Sequence, residues 1–108
     1  MASDPHITDM LAGALKNRGD IERKKMFGGN CWLLNGNMLC GDGEGRFMFR
    51  VGKDQQDAAL KNPGAEIVAF NGRKMGGILW VREEDALAYG LDNWITLAER
   101  FVRTLPAK

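Results

Sequence analysis

The chain begins in a helical rhythm. Ile7, Met10, Leu11, Ala14 and Leu15 recur at the i, i+3, i+4, i+7, i+8 spacing of one buried helix face. Asp4-Pro5 supplies an N-cap and a proline at the first helical position, and Asn17-Arg18-Gly19 supplies a stop with a glycine suited to a left-handed cap. From Glu22 to Val51 the rhythm shortens to two. Arg23 to Phe27 reads as a strand, with Gly28-Gly29 marking a bulge or a close backbone approach. Cys31 to Leu34 and Asn37 to Cys40 flank Asn35-Gly36, a strong hairpin signal because a type I′ turn needs positive φ at both central positions. After the turn Gly41-Asp42-Gly43-Glu44-Gly45, Arg46 to Val51 puts Phe47, Phe49 and Val51 on one face and Arg46, Met48 and Arg50 on the other. Together these make a meander of three or four antiparallel strands.

A short helix is predicted over Lys53 to Lys61, starting at Asp54 and ending before Asn62-Pro63-Gly64. Ile67 to Phe70 and Ile78 to Val81 read as strands joined through Asn71-Gly72-Arg73. Glu83-Glu84-Asp85 places acids where a helix dipole favours them. Gly90 interrupts that region, and a last helix with Asp92 near its start carries Trp94, Leu97, Ala98, Phe101 and Leu105 until Pro106. The order α-β(3-4)-α-β(2)-α is α+β, a two-layer antiparallel sheet packed by helices. No linker divides the chain, so residues 1–108 are expected to form a single domain. One echo, between Arg23–Trp32 and Arg73–Trp80, has unlike flanks and reads as two strand entries of similar chemistry, not as a duplication.

Composition narrows the function classes. With 15 Lys+Arg against 14 Asp+Glu the net charge is +1. The pI of 7.8 falls short of the value of about 9 usual for a polyanion-binding domain, so a nucleic-acid role needs cations gathered on one face. A 44% hydrophobic content with three tryptophans excludes intrinsic disorder. No segment has the pattern of a signal peptide, lipid anchor or membrane helix, so a cytoplasmic protein with reduced cysteines and no membrane partner is expected.

The inventory for catalysis is thin. His6 is the only histidine, and two cysteines cannot complete a four-ligand zinc site with it. No catalytic residue, metal or cofactor is expected, and the chain is not read as an enzyme. Gly41 to Gly45 has a glycine spacing like that of phosphate loops but joins two strands, so a hairpin turn is the better reading. If Asn35-Gly36 sets the register, Cys31 lies opposite Cys40 with Cβ atoms about 4.5–5.5 Å apart, near the disulfide range of about 3.5–4.5 Å. The plainer reading is two small apolar side chains; the sharper one is a redox-sensitive cross-strand pair. Lys24, Lys25, Arg46, Arg50, Arg73 and Lys74, with Arg23, lie on or beside predicted strands and form a candidate interaction surface. A solvated face with charge-guarded edges is the plainer account, and an anion or nucleic-acid surface the other.

At Lys24-Lys25-Met26-Phe27-Gly28-Gly29 the chain resembles the opening signature of the TfoX N-terminal domain family, named for a bacterial competence regulator. The likeness continues through Asn35 to Gly41, Phe49 to Gly52, Phe70 to Met75, and Asp92, Trp94 and Leu105-Pro106. Lys74 stands where the family usually has proline. The resemblance implies a two-layer α+β fold akin to secretion-chaperone-like domains, in agreement with the reading above. It transfers no catalytic residue. The competence regulator itself has a further C-terminal domain, which these residues do not match, so activation of competence genes is not implied.

The leading expectation is a non-enzymatic regulatory or protein-interaction module, with a protein partner or a homodimer formed through exposed strand residues such as Trp32 and Leu34. The alternatives are a nucleic-acid accessory protein using the basic strand face, and a small-ligand-binding domain. The ligand would approach the glycine backbones at Gly28-Gly29 and Gly76-Gly77.

Overall fold

A computed structural model describes residues 5–16, 18, 21–26, 29–43, 46–70 and 72–107. The Asp4 cap, the stop at Asn17 and Gly19, Phe27-Gly28, the Glu44-Gly45 tip and Asn71 lie outside the described residues. Helix-period and strand-period stretches alternate as α1 (Pro5–Leu15), β1 (Ile21–Met26), β2 (Gly29–Leu34), β3 (Asn37–Gly43), β4 (Arg46–Arg50), α2 (Lys53–Leu60), β5 (Ala65–Phe70), β6 (Arg73–Arg82), α3 (Glu83–Tyr89) and α4 (Leu91–Val102). The strands form one open sheet in the order β1-β2-β3-β4-β6-β5, every neighbouring pair antiparallel. The chain leaves the meander after β4, crosses on α2, and returns so that β6 pairs β4 and β5 becomes the far edge.

The helices contribute to one face. Ile7 and Leu11 of α1 meet Trp32, Leu34, Phe47, Phe49, Leu79 and Val81 of the sheet and Trp94, Ile95, Ala98 and Val102 of α4. Trp94 is fully buried, stacked on Phe49 at 5.4 Å between ring centroids and met edge-on by Tyr89. The buried stripe of α4 is rotated from the predicted one: Ile95 and Val102 join Trp94 and Ala98, whereas Leu97 and Phe101 are half-buried. Arg18 fastens the segment after α1 to α4, donating to Glu99 at 2.7 Å and to the Asp92 carbonyl at 3.2 Å. Burial raises the Glu99 pKa, but hydrogen bonds from Arg103 and Arg18 outweigh it and hold the carboxyl below its ordinary value.

The opposite face is apolar as well. Cys31, Leu33, Met38, Met48, Val68 and Ile78 are buried there, with Met75 and Trp80 half-buried against them, and every member comes from a strand. Met48, predicted on the solvated side with Arg46 and Arg50, is only 2% exposed. Arg46 helps to cover this face: its guanidinium lies 4.4 Å over the Trp80 ring and donates to Glu66 at 2.8 Å.

Two irregularities set which side chains meet. Asn35 and Gly36 adopt φ of 55° and 82°, as the type I′ turn requires. Yet Leu33 pairs with Met38 and Trp32 with Cys40, so Leu39 is an extra residue and the register shifts beyond it. In β6, Met75 and Ile78 share the second cluster although residues three apart normally face opposite ways. The register agrees: Ile67 pairs with Leu79, but Ala69 pairs with Lys74, a three-residue shift that places a bulge around Gly76-Gly77. The echoed segments are therefore unlike in place, one spanning β1 and β2 and the other lying within β6.

Trp32 and Leu34, expected as an exposed docking surface, are 5% and 2% exposed in the helix-covered core. The even-numbered positions of β2 point towards α1 and α4, so this expectation is corrected.

Candidate functional site

The bulge glycines of β6 face the junction between β4 and α2. Val51 and Gly52 donate their N–H groups to the Gly77 carbonyl at 2.8 and 3.0 Å, and the Gly77 N–H donates to Gln56 Oε1 at 2.5 Å. Gln55 Nε2 donates to the carbonyls of Val51 and Leu97 at 2.9 and 2.7 Å, tying the junction to α4. Gly77 has φ of 87°, and a Cβ there would stand 3.1 Å from the Gly52 backbone. Gly52 has φ of 81°, and a Cβ there would overlap the Phe101 ring. Both positions need glycine, for conformation and for space.

These segments enclose a cleft of about 290 Å³ lined by Arg50, Gly52, Lys53, Asp54, Gly76, Gly77 and Phe101. Arg50 enters from the sheet with its guanidinium 5.5 Å from the Phe101 ring centroid. Burial lowers its pKa by penalising the charged form. It has no hydrogen bond or ion pair to a described residue. Lys53 comes from the other wall, its Cε 3.1 Å from where a Gly76 Cβ would be. The helix α2 starts here with Gly52 as N-cap and no side-chain cap, so the N–H groups of its first turn have no side-chain acceptor among the described residues.

The six cations singled out in the sequence do not gather on one surface. Lys24 and Lys25 are exposed on edge strand β1, where neighbours in sequence point to opposite faces. Arg46 is engaged by Glu66 and Trp80, while Arg50 turns into the cleft. Arg73 and Lys74 are exposed at the start of β6, four strand steps from β1, or about 19 Å along the sheet. Of the two glycine pairs, Gly76-Gly77 borders the cleft. Gly29 instead lies against Asp42, whose carbonyl oxygen a Cβ would overlap. Lys53 and Phe101 were missed as site residues. Gly52-Lys53 before a helix was the available signal for the first, while Phe101 was assigned to the core stripe.

The register corrects the expectation for the cysteines. Cys31 lies opposite Gly41 and Cys40 opposite Trp32, and the thiols belong to clusters on opposite faces of the sheet. A bridge requires converging Cβ vectors, which this arrangement does not provide. Burial, with a smaller contribution from the Asp42 charge, pushes the Cys31 pKa up to about 11, and burial pushes Cys40 higher still. Because the thiolate is the reactive species, both thiols should be silent to a disulfide reagent at pH 8 in the native protein and titrate as two after denaturation. Rapid native labelling, or loss of both thiols under mild oxidant, would contradict this arrangement.

Among the described residues no group of three or more His, Cys, Asp or Glu is placed to hold a metal ion. No helix there is long and apolar enough to cross a membrane. His6, on α1, contacts Glu83 at 2.8 Å and so links α1 to α3.

An open six-stranded antiparallel sheet whose helices bury their residues on one face defines a two-layer α+β domain. Within that class, a family model described as the TfoX N-terminal domain matches residues 13–103 of the chain. The protein belongs to the TfoX N-terminal domain family. No curated protein and no solved structure matches it. The matched span runs from the second half of α1 to just past α4 and includes every residue of the cleft.

Proposed function

We propose that this domain is a non-enzymatic regulatory module that acts by protein contact, pairing with a second copy of itself along edge strand β5. The asymmetry of the two sheet edges carries this reading. Strand β1 exposes Glu22, Arg23, Lys24 and Lys25, and such charges guard an edge against further pairing. Strand β5, Ala-Glu-Ile-Val-Ala-Phe, has a single charge, Glu66, and Arg46 already engages it. It contains no lysine or proline. An edge without guards is suited to strand addition, where main-chain hydrogen bonds supply affinity. Two β5 strands meeting antiparallel satisfy a two-fold axis and continue both apolar faces, because Ile67 packs on one cluster and Val68 belongs to the other.

Light scattering across a concentration series tests this reading, with a dimer expected. Ala69 is exposed and pairs with exposed Lys74, so Ala69→Lys should cost no more than about 1 kcal/mol of stability while adding charge along the new seam and shifting the protein to monomer. A wild-type monomer at every concentration, or a dimer indifferent to Ala69→Lys and sensitive to charge reversal on β1, would overturn the pairing.

A further inference from the structure

Three arginines are half-buried: Arg18, Arg46 and Arg50. Two have carboxylate partners, Arg18 with Glu99 at 2.7 Å and Arg46 with Glu66 at 2.8 Å. Arg50 lies partly desolvated beside Phe101 and has none among the described residues. A desolvated cation is normally matched by an opposite charge. In this protein the space where that charge would sit is a cleft.

We propose that the cleft between the β4–α2 junction and the Gly76-Gly77 bulge binds a small phosphate monoester, with Arg50 and Lys53 as its charged contacts. Arg50 and Lys53 reach the recess from two walls, and the one acid on its lining is Asp54. Asp54 lies in the first turn of α2, where the helix dipole already accounts for an acid. The recess therefore carries a net positive charge. Much of its wall is glycine backbone, which lets an anion approach the main chain more closely than any side chain would. The N–H groups of Val51, Gly52 and Gly77 are spent within the fold, whereas those opening α2 at Lys53 and Asp54 have no side-chain cap.

Stoichiometry and size choose the ligand class. Two cations and main-chain donors can engage all three free oxygens of a phosphate monoester, one more than a carboxylate offers. A guanidinium fork with a lysine point charge is a common phosphate-binding set. The volume of about 290 Å³ lies at the small end of ligand sites, fitting a phosphate with a small organic group and excluding a folded peptide or duplex.

The test is titration calorimetry of the full chain with inorganic phosphate and with glycerol 3-phosphate, using glycerol and acetate as controls. One site per chain is expected for both phosphates, weakening as salt is raised, with acetate at least tenfold weaker and glycerol silent. Lys53→Gln and Arg50→Gln should each weaken glycerol 3-phosphate at least tenfold. Lys53 is exposed, so Lys53→Gln keeps the test decisive even if Arg50→Gln fails to fold. Ala69→Lys should bind unchanged, which separates this site from β5 pairing. Absence of binding at millimolar phosphate, acetate binding as tight as phosphate, or affinity unaffected by Lys53→Gln would overturn the proposal.

Discussion

Replacing Trp94 by alanine is expected to lower stability by about 3–5 kcal/mol, a large part of the roughly 5–15 kcal/mol available to a domain. The indole is fully buried, stacked on Phe49 with an interplanar angle of 10° and met edge-on by Tyr89. Its removal opens a cavity where α3, α4 and β4 converge, and a rigid sheet cannot collapse to fill it. Urea unfolding followed by far-ultraviolet circular dichroism reads the loss without relying on tryptophan fluorescence. Trp94→Phe sharpens the experiment. The indole Nε1 is buried with no hydrogen-bond partner among the described residues, a condition that costs about 1–3 kcal/mol. Phenylalanine retains a ring to stack and discards the unpaired donor, while leaving a smaller void. The two effects oppose each other, so Trp94→Phe should lie within about 1 kcal/mol of wild type. A loss as large as that of Trp94→Ala would show that the indole N–H contributes a favourable contact.

What could be read from the chain differs by level. Local signals were dependable where one residue type has one physical use. Asn35-Gly36 made the turn it demands, Gly90 divided α3 from α4, and the alternation in Arg46–Val51 sorted Phe47 and Phe49 from Met48. What failed was the step from local pattern to partner. A type I′ turn fixes the register only until a bulge intervenes, and nothing in Met38-Leu39-Cys40 marks Leu39 as the extra residue. That one residue moved Cys40 from opposite Cys31 to opposite Trp32 and destroyed the cross-strand pair. Likewise, alternation separates two faces without saying that both are buried. Met48 reads as solvated between two arginines until Cys31, Leu33 and Ile78 are brought beside it from other strands.

The cleft was half legible for the same reason. Gly76-Gly77 announced a close backbone approach, and Arg50 stood among the candidate cations. Their meeting depends on β6 inserting beside β4, which is a property of strand order and not of any window of sequence. Phe101 shows the limit most clearly. Its helical spacing assigns it to the core, against which it does pack, but the spacing cannot show that its ring also lies over Gly52, where the glycine leaves it room.

Asp42→Ala is expected to destabilise by about 3–5 kcal/mol, because a buried acid here organises polar groups from three elements. Asp42 is 1% exposed. It accepts from Thr8 Oγ1 of α1 at 2.5 Å and from the Asn30 backbone N–H of β2 at 3.0 Å. Asn30 Nδ2 lies 3.4 Å from both of its oxygens, while Asn30 Oδ1 accepts from Arg23 Nε and Nη2 at 3.2 Å each. Arg23 thereby orients the amide so that its NH₂ faces the carboxylate, and the chain of bonds runs from edge strand β1 to α1. Truncating Asp42 removes a buried acceptor shared by the Thr8 hydroxyl and the Asn30 backbone N–H. Asp42→Asn, which preserves shape and one acceptor, should cost less, about 1–2 kcal/mol. If the network acts as a unit, Arg23→Ala will matter in the wild-type background and matter less once Asp42 is alanine. The double-mutant cycle should then show a coupling above about 0.5 kcal/mol. Additive losses would mean that Arg23 stabilises β1 only through its packing over the Trp32 ring, 5.6 Å away, and that Asp42 anchors α1 to β2 without help from the edge.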